Sequence, residues 1–461
     1  MSSERERLLA LLPEGLGAAV EQATGREIVG VRPRGGGGAS RSGAEIELAQ
    51  VDGVQRCYMN YDVYRAGAGD DAAFEREVAI LRALSGPLRD SGVRVAPFVA
   101  AIPELRTLIG GYVPGEADYN KLATPEARLA VAQDYLAQLA LLHRIDVAEH
   151  PVEGMGPVQP IREEIAERIA KLRAINSGDV WDPLIHMALD WLESNVPADF
   201  PAPTIVHGDA GPANFLYDDG RVTGLLDWEL VHYGDPMADL AMLRLRMLFQ
   251  PFVPIPDVFR FYREAGGHPI DRERLRYWQI LFHASFARRE RYDRMDAPPP
   301  PNLGMNLVFT LLHRRVLAEM IADALMITVE RVVLPEVPPG PRQRAFAVAL
   351  DDLRHTIGPR LGDQQSSAKA KGLVRLIKWW RDLERYEPAL HAREHERIEA
   401  VLGESFADYD EAWRHFEQAL ASGRIGTTPA LAIVHRRVAS EAAVYGTAMG
   451  SLAEASPAPL D

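Results

Sequence analysis

Residues 207–229 read HGDAGPANFLYDDGRVTGLLDWE and place a candidate proton acceptor and two candidate magnesium ligands in one short stretch. This combination suits phosphoryl transfer, in which a protein mainly positions an electrophilic group and neutralises charge with metal ions. Asp209 can accept the proton of an attacking hydroxyl group. Asn214 and Asp227 offer the oxygen ligands that the hard Mg²⁺ ion prefers. The stretch therefore predicts a site that transfers a phosphoryl group to an alcohol.

A β-hairpin is predicted within this stretch. Its arms are residues 215–217 and 222–226, joined by a turn at residues 218–220, and a β-branched run leads into the loop before it. Such a hairpin brings Asn214 and Asp227 to the same end of the ribbon. With Asp209 on the preceding loop, we expect the three side chains to form one compact cluster for metal binding and proton transfer.

Composition and charge agree with an enzyme without requiring one, and they argue against a nucleic-acid-binding or membrane protein. Of the 461 residues, 47% are hydrophobic and 25% are charged, and the formal net charge is −14. Because a nucleic-acid backbone is bound by basic patches, this balance argues against nucleic acid as the main partner. No run of about 18 apolar residues occurs and the start of the chain lacks a signal-peptide core, so no membrane partner and a cytoplasmic location are predicted. Cys57 is the only cysteine, which excludes an internal disulfide and a cysteine-rich zinc site.

The motifs of residues 207–229 resemble those of the aminoglycoside phosphotransferase family. The catalytic loop of that family is His-Gly-Asp, four further residues and Asn, and its metal-binding Asp precedes an aromatic residue and often a Glu. The resemblance implies a protein-kinase-like fold, with Asp209 as the catalytic base and with Asn214 and Asp227 holding Mg²⁺. It also implies that His207 braces the loop and that Glu229 is structural or faces the substrate.

A second segment with the same resemblance follows at residues 234–241, which read GDPMADLA. It is similar to the Gly-Asp-Pro-x-x-Asp-Leu-Ala segment of the family. The resemblance implies that Asp235 and Asp239 orient the backbone of the loop more than they react.

The first 120 residues or so are predicted to be mostly strand, with one prominent helix. Strand patterns cover residues 27–32, 44–50 and 55–64, and the helix covers residues 72–84. The glycine run between the first two strands lies where kinase-like folds carry the loop that covers the nucleotide, which makes Gly36, Gly37 and Ser40 candidate phosphate contacts.

The resemblance extends to two further nucleotide contacts in this region. Glu77 lies on the predicted helix, in a segment similar to the family helix whose Glu pairs with a basic residue on the third strand. The segment 105–116 is similar to the strand and hinge that meet adenine, so the backbone at Tyr112 and Val113 is implied to make those contacts. The implied cofactors are ATP, or another nucleoside triphosphate, and Mg²⁺.

The third strand departs from the family pattern. Kinase-like enzymes place Lys or Arg there to hold the α- and β-phosphates, but this sequence has Asn60, and a shift of two residues gives Asp62. Arg65 points to the opposite face unless a bulge intervenes, and Arg56 shares the face but comes early in the pattern. Either a neighbouring arginine replaces the missing cation, or nucleotide binding is weak and the catalytic loop serves another use.

Helical periodicity dominates the chain from Thr124 onward. We predict an α+β, bilobal protein-kinase-like fold with an antiparallel β N-lobe at residues 1–115 and a mainly helical C-lobe at residues 116–335. A proline-rich segment then separates a small all-α domain at residues 341–461, for which the sequence predicts helices at 344–357, 371–387, 392–402 and 406–421, and one or two more at 428–452. Dimerisation is one role that stays open for this domain.

These observations favour an ATP- and Mg²⁺-dependent small-molecule kinase that phosphorylates a hydroxyl group. The alternative is a catalytically impaired kinase-like protein that serves as a binding or scaffolding module, and the missing basic residue on the third strand is its motivation. Phosphorylation of a protein side chain ranks last, because the loop lacks the His-Arg-Asp pattern of protein kinases. The acceptor, the preference between ATP and GTP and the oligomeric state stay open, since acceptor contacts lie in helices without portable motifs.

Overall fold

The structure is a computed structural model that describes residues 4–34, 41–62, 71–287, 302–362 and 364–460. In these ranges, a five-stranded antiparallel sheet and two short hairpin-like ribbons are accompanied by many helices, most of which follow the sheet in the chain. The predicted α+β class is therefore confirmed.

The large sheet forms from the first third of the chain. Its strands are β1 (Ile28–Arg34), β2 (Ser42–Gln50), β3 (Gly53–Tyr61), β4 (Phe98–Ile102) and β5 (Thr107–Gly111), in the order β1-β2-β3-β5-β4. Every neighbouring pair is antiparallel. The three strands that the sequence predicted at the start of the chain are confirmed, and the predicted helix after them is α3 (Asp71–Ser85).

One face of this sheet is buried by two helices that the sequence reading missed, α1 (Glu4–Leu9) and α2 (Leu16–Thr24). Leu16 and Val20, one helical turn apart, are fully buried in the same cluster as the inward-facing residues of the sheet. Those residues alternate along the strands, as pleating requires, and include Ala44, Ile46 and Leu48 of β2 with Cys57 and Met59 of β3. Cys57 is therefore a packed thiol, and burial raises its pKa.

The middle of the chain alternates helices with short strands. Helices α4 (Pro125–His143), α5 (Ile161–Ile175) and α6 (Pro183–Ser194) come first, followed by β6 (Thr204–Val206), β7 (Phe215–Asp218), β8 (Arg221–Leu225) and β9 (His232–Gly234). β6 pairs with β9, and β7 pairs with β8. Helices α7 (Pro236–Arg246), α8 (Ile255–Glu264), α9 (Arg272–Phe286) and α10 (Leu303–Ala324) come next.

Helix α4 holds the β7–β8 hairpin in place. The helix begins with the side chain of Thr124 accepting a hydrogen bond from the amide of Ala127, and Pro125 occupies its first turn. Two turns further along, the carboxylate of Asp134 accepts a hydrogen bond of 2.8 Å from the amide of Val222 on β8 and pairs with Arg94. The hairpin is thus attached to a long, buried helix, which limits the motion of its ends.

The C-terminal helices match the predicted ones with somewhat different bounds, except that two predicted helices form a single longer one. They are α11 (Gln343–Asp351), α12 (Gln364–Leu402), α13 (Tyr409–Ala421) and α14 (Thr427–Met449). The prediction of two helices, at residues 371–387 and 392–402, was wrong, because α12 continues through Pro388. A proline inside a helix removes one hydrogen bond and disfavours the helix, but packing of the flanking residues can override that local preference.

Contacts divide the described residues into two compact units. The first contains those of residues 1–164, 199–275 and 458–461, and the second contains those of residues 165–198 and 276–457. This grouping differs from the predicted division at residues 115 and 335–341, which stays a prediction. No helix within the described ranges is both long and apolar enough to cross a membrane.

Candidate active site

The loop after β6 is shaped by a single buried carboxylate, that of Asp239 in the first turns of α7. It accepts hydrogen bonds of 2.8 Å from the amides of His207 and Gly208, and it lies 2.9 Å from Nε2 of His143. Asp239 is fully buried. Burial alone would raise its pKa, but the hydrogen bond and charge of His143 outweigh burial, and the pKa lies below its ordinary value. The ionised carboxylate therefore fixes the loop backbone.

Gly208 is required by this loop for two reasons. Its φ angle is 85°, in the left-handed region, and a Cβ atom at this position would lie 2.1 Å from the carbonyl oxygen of Leu230. Glycine is the only residue that meets both conditions without a shift of the backbone. The adjacent residue can thus approach the hairpin closely.

His207 braces the loop from inside. Its Nε2 donates a hydrogen bond of 2.9 Å to the carbonyl of Leu226, while its Nδ1 accepts one of 3.3 Å from the amide of Asp209. The ring packs against Trp228, with 4.6 Å between ring centroids. Burial lowers the pKa of His207, so the ring is neutral with its proton on Nε2. A buried neutral ring of this kind positions the neighbouring residue.

Asp209 and Asn214 are in direct contact. Nδ2 of Asn214 donates hydrogen bonds to the Asp209 carboxylate (2.6 Å) and to the Asp209 carbonyl (2.8 Å). The backbone carbonyl of Asn214 accepts from the amide of Leu226 (2.9 Å), which joins the end of the loop to the end of β8. Because Nδ2 is used for Asp209, the amide oxygen of Asn214 is the atom that can face a metal ion.

The predicted hairpin is confirmed, and it brings Asp227 to the same end as Asn214. Phe215 pairs with Leu225, and the turn contains two residues with positive φ, Asp219 and Gly220. Asp227 itself has a φ of 62°, which turns its side chain out of the strand direction.

The carboxyl group of Asp227 is surrounded by other negatively charged side chains. Partial removal from water, followed by repulsion from Glu229, Asp209 and Glu77, raises its pKa to about 7. Asp227 as a residue stays exposed to solvent, so this carboxyl group is flanked by protein on one side and accessible on the other. Arg41 offsets this negative charge only in part, and an excess of negative charge at an accessible carboxylate fits a divalent cation.

The side chains at this site can supply only some of the ligands that a magnesium ion requires. In the part of the chain that the structure describes, no three His, Cys, Asp or Glu side chains converge as a metal-binding group. Asn214 and Asp227 alone would therefore leave most coordination positions to phosphate and water oxygens, which is the usual arrangement for Mg²⁺ bound with a nucleotide. The residues present fit a metal ion that arrives together with phosphate.

Arg246, at the end of α7, is a site residue that the sequence reading missed. Its Nη1 lies 2.6 Å from each carboxylate oxygen of Asp209, and its Nη2 lies 3.1 Å from the carbonyl of Pro212 and 3.4 Å from Oδ1 of Asn214. A signal was available, because Arg246 follows Asp239 by seven residues, and this spacing places two side chains on one face of a helix.

Arg41 is the second missed residue. It immediately precedes β2, and its Nη1 lies 2.6 Å from Oε2 of Glu77 on α3. Both side chains are largely buried, with exposed fractions of 17% for Arg41 and 4% for Glu77. Burial disfavours the Arg41 cation, but attraction to Glu77, Glu229 and Asp227 outweighs burial and raises its pKa. Burial also raises the pKa of Glu77, against the pull of Arg41.

The arginines that the sequence offered as replacements lie elsewhere. The guanidinium of Arg56 stacks over the ring of Tyr112 at 3.9 Å and is 3.5 Å from Glu45, so it belongs to a cluster further along the sheet. Arg65 lies outside the described residues. Asn60 is opposite Gly43 on β2, one position beyond Ser42 and two beyond Arg41.

The structure describes some of the remaining predicted site residues and not others. The amide of Tyr112 donates to the carbonyl of Arg56 (2.9 Å), while Val113 has no hydrogen-bond partner for its backbone among the described residues. Glu229 is close enough to Asp227 and Glu77 for their charges to interact. Gly36, Gly37 and Ser40 lie outside the described residues.

Asp235 is structural. It starts α7 by accepting a hydrogen bond of 3.0 Å from the amide of Met237, and its carboxylate pairs with Arg274 at 2.8 Å. This fully buried pair fixes the beginning of the helix that carries Asp239 and Arg246.

Comparisons with known proteins show what this region of the chain is similar to. The phosphotransferase enzyme family matches residues 62–278. The chain is 26% identical over 149 residues to acyl-CoA dehydrogenase family member 11 of Pongo abelii, covering 32% of this chain and 19% of that relative. It is 27% identical over 188 residues to an aminoglycoside 3'-phosphotransferase of Streptomyces fradiae, covering 38% of this chain and 66% of the relative. This chain thus spans about a fifth of the length of the acyl-CoA dehydrogenase relative.

Among solved structures, this chain is similar to a macrolide 2'-phosphotransferase from Brachybacterium faecium. The two sequences are 20% identical, the TM-score is 0.44, and the match covers 61% of this chain and 92% of that protein. The family match and the sheet topology together confirm the predicted protein-kinase-like fold. The resemblance of the sequence motifs is likewise confirmed, because residues 62–278 of this chain match the phosphotransferase enzyme family.

Proposed function

We propose that this protein transfers the γ-phosphoryl group of ATP to a hydroxyl group of a small molecule. The observation that carries the proposal is the convergence of Asp209, Asn214 and Asp227 at one end of a hairpin, on a loop held by the buried carboxylate of Asp239. The match of residues 62–278 to the phosphotransferase enzyme family supports the same reaction type.

Asp209 is the residue that would accept the proton of the acceptor hydroxyl group. Its carboxylate offers about four lone-pair sites. Arg246 and Asn214 make three contacts with it, which leaves one direction for an acceptor hydroxyl group. In the proposed step, the acceptor oxygen forms a bond to the γ-phosphorus while the bond from that phosphorus to the β,γ-bridging oxygen breaks. The hydroxyl proton passes to Asp209, and ADP leaves.

Asn214 and Asp227 would hold Mg²⁺ together with the nucleotide. When bound, the ion neutralises charge on the phosphate groups. The groups of this chain that would coordinate the ion are the amide oxygen of Asn214 and the carboxylate of Asp227. The backbone of Val113, which has no partner among the described residues, is the candidate contact for the nucleotide base.

The alternative function is a kinase-like binding or scaffolding module without turnover. One observation motivates it, namely Asn60 in place of a basic residue on β3. The alternative gives no physical reason for a cluster of Asp209, Asp227 and Glu229, whose mutual repulsion disfavours the folded protein in the absence of a cation. We therefore rank it second.

The test is a transfer assay with Mg²⁺ and ATP in the presence of pooled hydroxylated small molecules. ADP formation is followed continuously, and mass spectrometry detects a phosphorylated acceptor. We expect Asp209→Asn to abolish transfer with nucleotide affinity nearly unchanged, because Asn is the same size but cannot accept the proton. Full transfer by Asp209→Asn would show that another residue is the base. A wild-type protein that binds Mg²⁺ and ATP but never turns over, even with water as acceptor, would favour the scaffold alternative.

A further inference from the structure

Arg41 has unused N–H donors close to the proposed phosphate-binding site. Only one of its N–H groups, on Nη1, is used for the ion pair with Glu77, and the residue has no other hydrogen-bond partner among the residues that the structure describes. A guanidinium group carries five N–H donors in a planar fork, which matches the geometry of phosphate oxygens. Arg41 can therefore hold Glu77 and still bind an anion.

The face of the sheet on which Arg41 lies follows from the strand register. Ala44, Ile46 and Leu48 face the hydrophobic core, so the odd-numbered positions of β2 face the other way. Gly43 on that outer face is directly opposite Asn60. Arg41 lies two residues before Gly43, immediately before β2 begins. A positive charge that is missing from position 60 on β3 is thus present two residues from the β2 position that pairs with it.

The neighbours of Arg41 connect it with the proposed metal site. Besides Glu77, the charges that act on its guanidinium are those of Glu229 and Asp227. A phosphate group bound to a cation at Asp227 would therefore be attracted by the positive charge of Arg41. Arg56, by contrast, is engaged with Glu45 and the ring of Tyr112.

We propose that Arg41 is the phosphate-binding cation of this site, supplied by the start of β2 in place of a basic residue on β3, and that Glu77 holds it in position. The inference rests on the proposed function, since it needs a bound nucleotide. It removes the main reason for regarding this protein as impaired, because the cation is relocated and not lost.

The experiment measures binding by calorimetry, so that it does not depend on an acceptor. Two probes are compared, the ATP analogue AMP-PNP with Mg²⁺ and adenosine, which lacks phosphate. Arg41→Gln is the main variant, because Gln can still donate a hydrogen bond to the buried Glu77 while it removes the charge. We expect Arg41→Gln to weaken AMP-PNP about tenfold to a hundredfold, the effect of losing hydrogen bonds to a charged group, and to leave adenosine affinity unchanged.

Three further variants test whether the charge of Arg41 causes the expected loss of affinity. Arg41→Lys keeps the charge and should retain most of the AMP-PNP affinity. Asn60→Lys in the Arg41→Gln background should restore affinity, because it returns a cation to the same face of the sheet. Arg26→Gln is the matched control, since Arg26 lies at the opposite end of the β2–β3 ladder beside Gln55 and should change neither affinity.

The outcomes separate the inference from the function on which it rests. Unchanged AMP-PNP affinity in Arg41→Gln, or an equal loss for AMP-PNP and adenosine, would overturn the role of Arg41 while the nucleotide site of the wild type stands. Wild-type protein that binds neither probe would overturn the proposed function, and the inference with it. Thermal midpoints of all variants are measured alongside to show that each is folded.

Discussion

Nη1 of Arg246 lies 2.6 Å from both carboxylate oxygens of Asp209, so the candidate base is fixed from the side opposite its own loop. The same guanidinium reaches the carbonyl of Pro212, and the Asp209 carboxylate also accepts from Asn214. Contacts with a charged donor are strong and directional. Arg246 therefore sets the orientation of the carboxylate that would receive the acceptor proton.

Replacement of Arg246 should slow phosphoryl transfer much more than it weakens nucleotide binding. We expect Arg246→Met to lower the transfer rate about ten- to a hundredfold, because a misplaced catalytic group costs on that order. Transfer to water, followed as phosphate release, gives the rate before an acceptor is known. Arg260→Met, which removes a surface arginine paired with Asp257 and Glu264, is the control and should leave the rate unchanged. An Arg246→Met rate equal to that of wild type would contradict the positioning role.

Gly208→Ala should disrupt the loop through a clash with Leu230. The added Cβ would lie 2.1 Å from a carbonyl oxygen, whereas Gly220 has a similar φ of 75° and no atom closer than 3.9 Å. Gly220→Ala thus carries only the left-handed strain, of about 1 kcal/mol. We expect the Gly208→Ala variant to lose transfer and to be less stable than Gly220→Ala in urea denaturation. Equal stability of the two variants would show that the loop can move away from Leu230.

The hairpin and the large sheet could be predicted from the sequence because their signals are local. The hairpin follows from the turn at residues 218–220, and the sheet follows from alternating apolar residues. Arg246 was missed because its contact with Asp209 spans 37 residues and depends on how α7 meets the loop. Arg41 was missed because the family pattern points to β3 alone, whereas pairing between β2 and β3 brings the residues at the beginning of β2 close to Asn60. Helix α2 was missed because it is only nine residues long, with Leu16 and Val20 as its large apolar residues, and burial against the sheet provides the driving force.

Asp239→Asn should destabilise the protein at neutral pH. The variant keeps the shape but places an NH₂ group where three donors converge, which costs about 2–4 kcal/mol for a buried group with charged hydrogen bonds. The pKa of Asp239 is lower in the folded protein than in the unfolded chain, so its stabilisation is present above the unfolded pKa and is lost in acid. Urea denaturation at neutral and acidic pH measures the difference, with the surface variant Asp257→Asn as control. A pH-independent difference would argue against an ionised Asp239.

Asp227→Asn should stabilise the metal-free protein in a pH-dependent way. The pKa of Asp227 is about 7 in the folded protein and near 3.8 when unfolded, so the folded state binds more protons between these values. The unfolding free energy contributed by this group therefore falls as pH rises through that window. Asn tolerates the positive φ of this position. In the presence of a chelator, the thermal midpoint of Asp227→Asn should exceed that of wild type by more at pH 8 than at pH 5. The same excess at both pH values would show that the carboxyl group is not crowded.

The most direct test of the central claim is calorimetric titration of wild type and Asp227→Ala with AMP-PNP, with and without Mg²⁺. We predict binding to wild type that is strengthened by Mg²⁺, and loss of the magnesium effect in Asp227→Ala. This result would establish that the hairpin end holds the metal and the nucleotide together. Absence of binding to wild type at millimolar nucleotide, or an equal magnesium effect in both proteins, would contradict the claim.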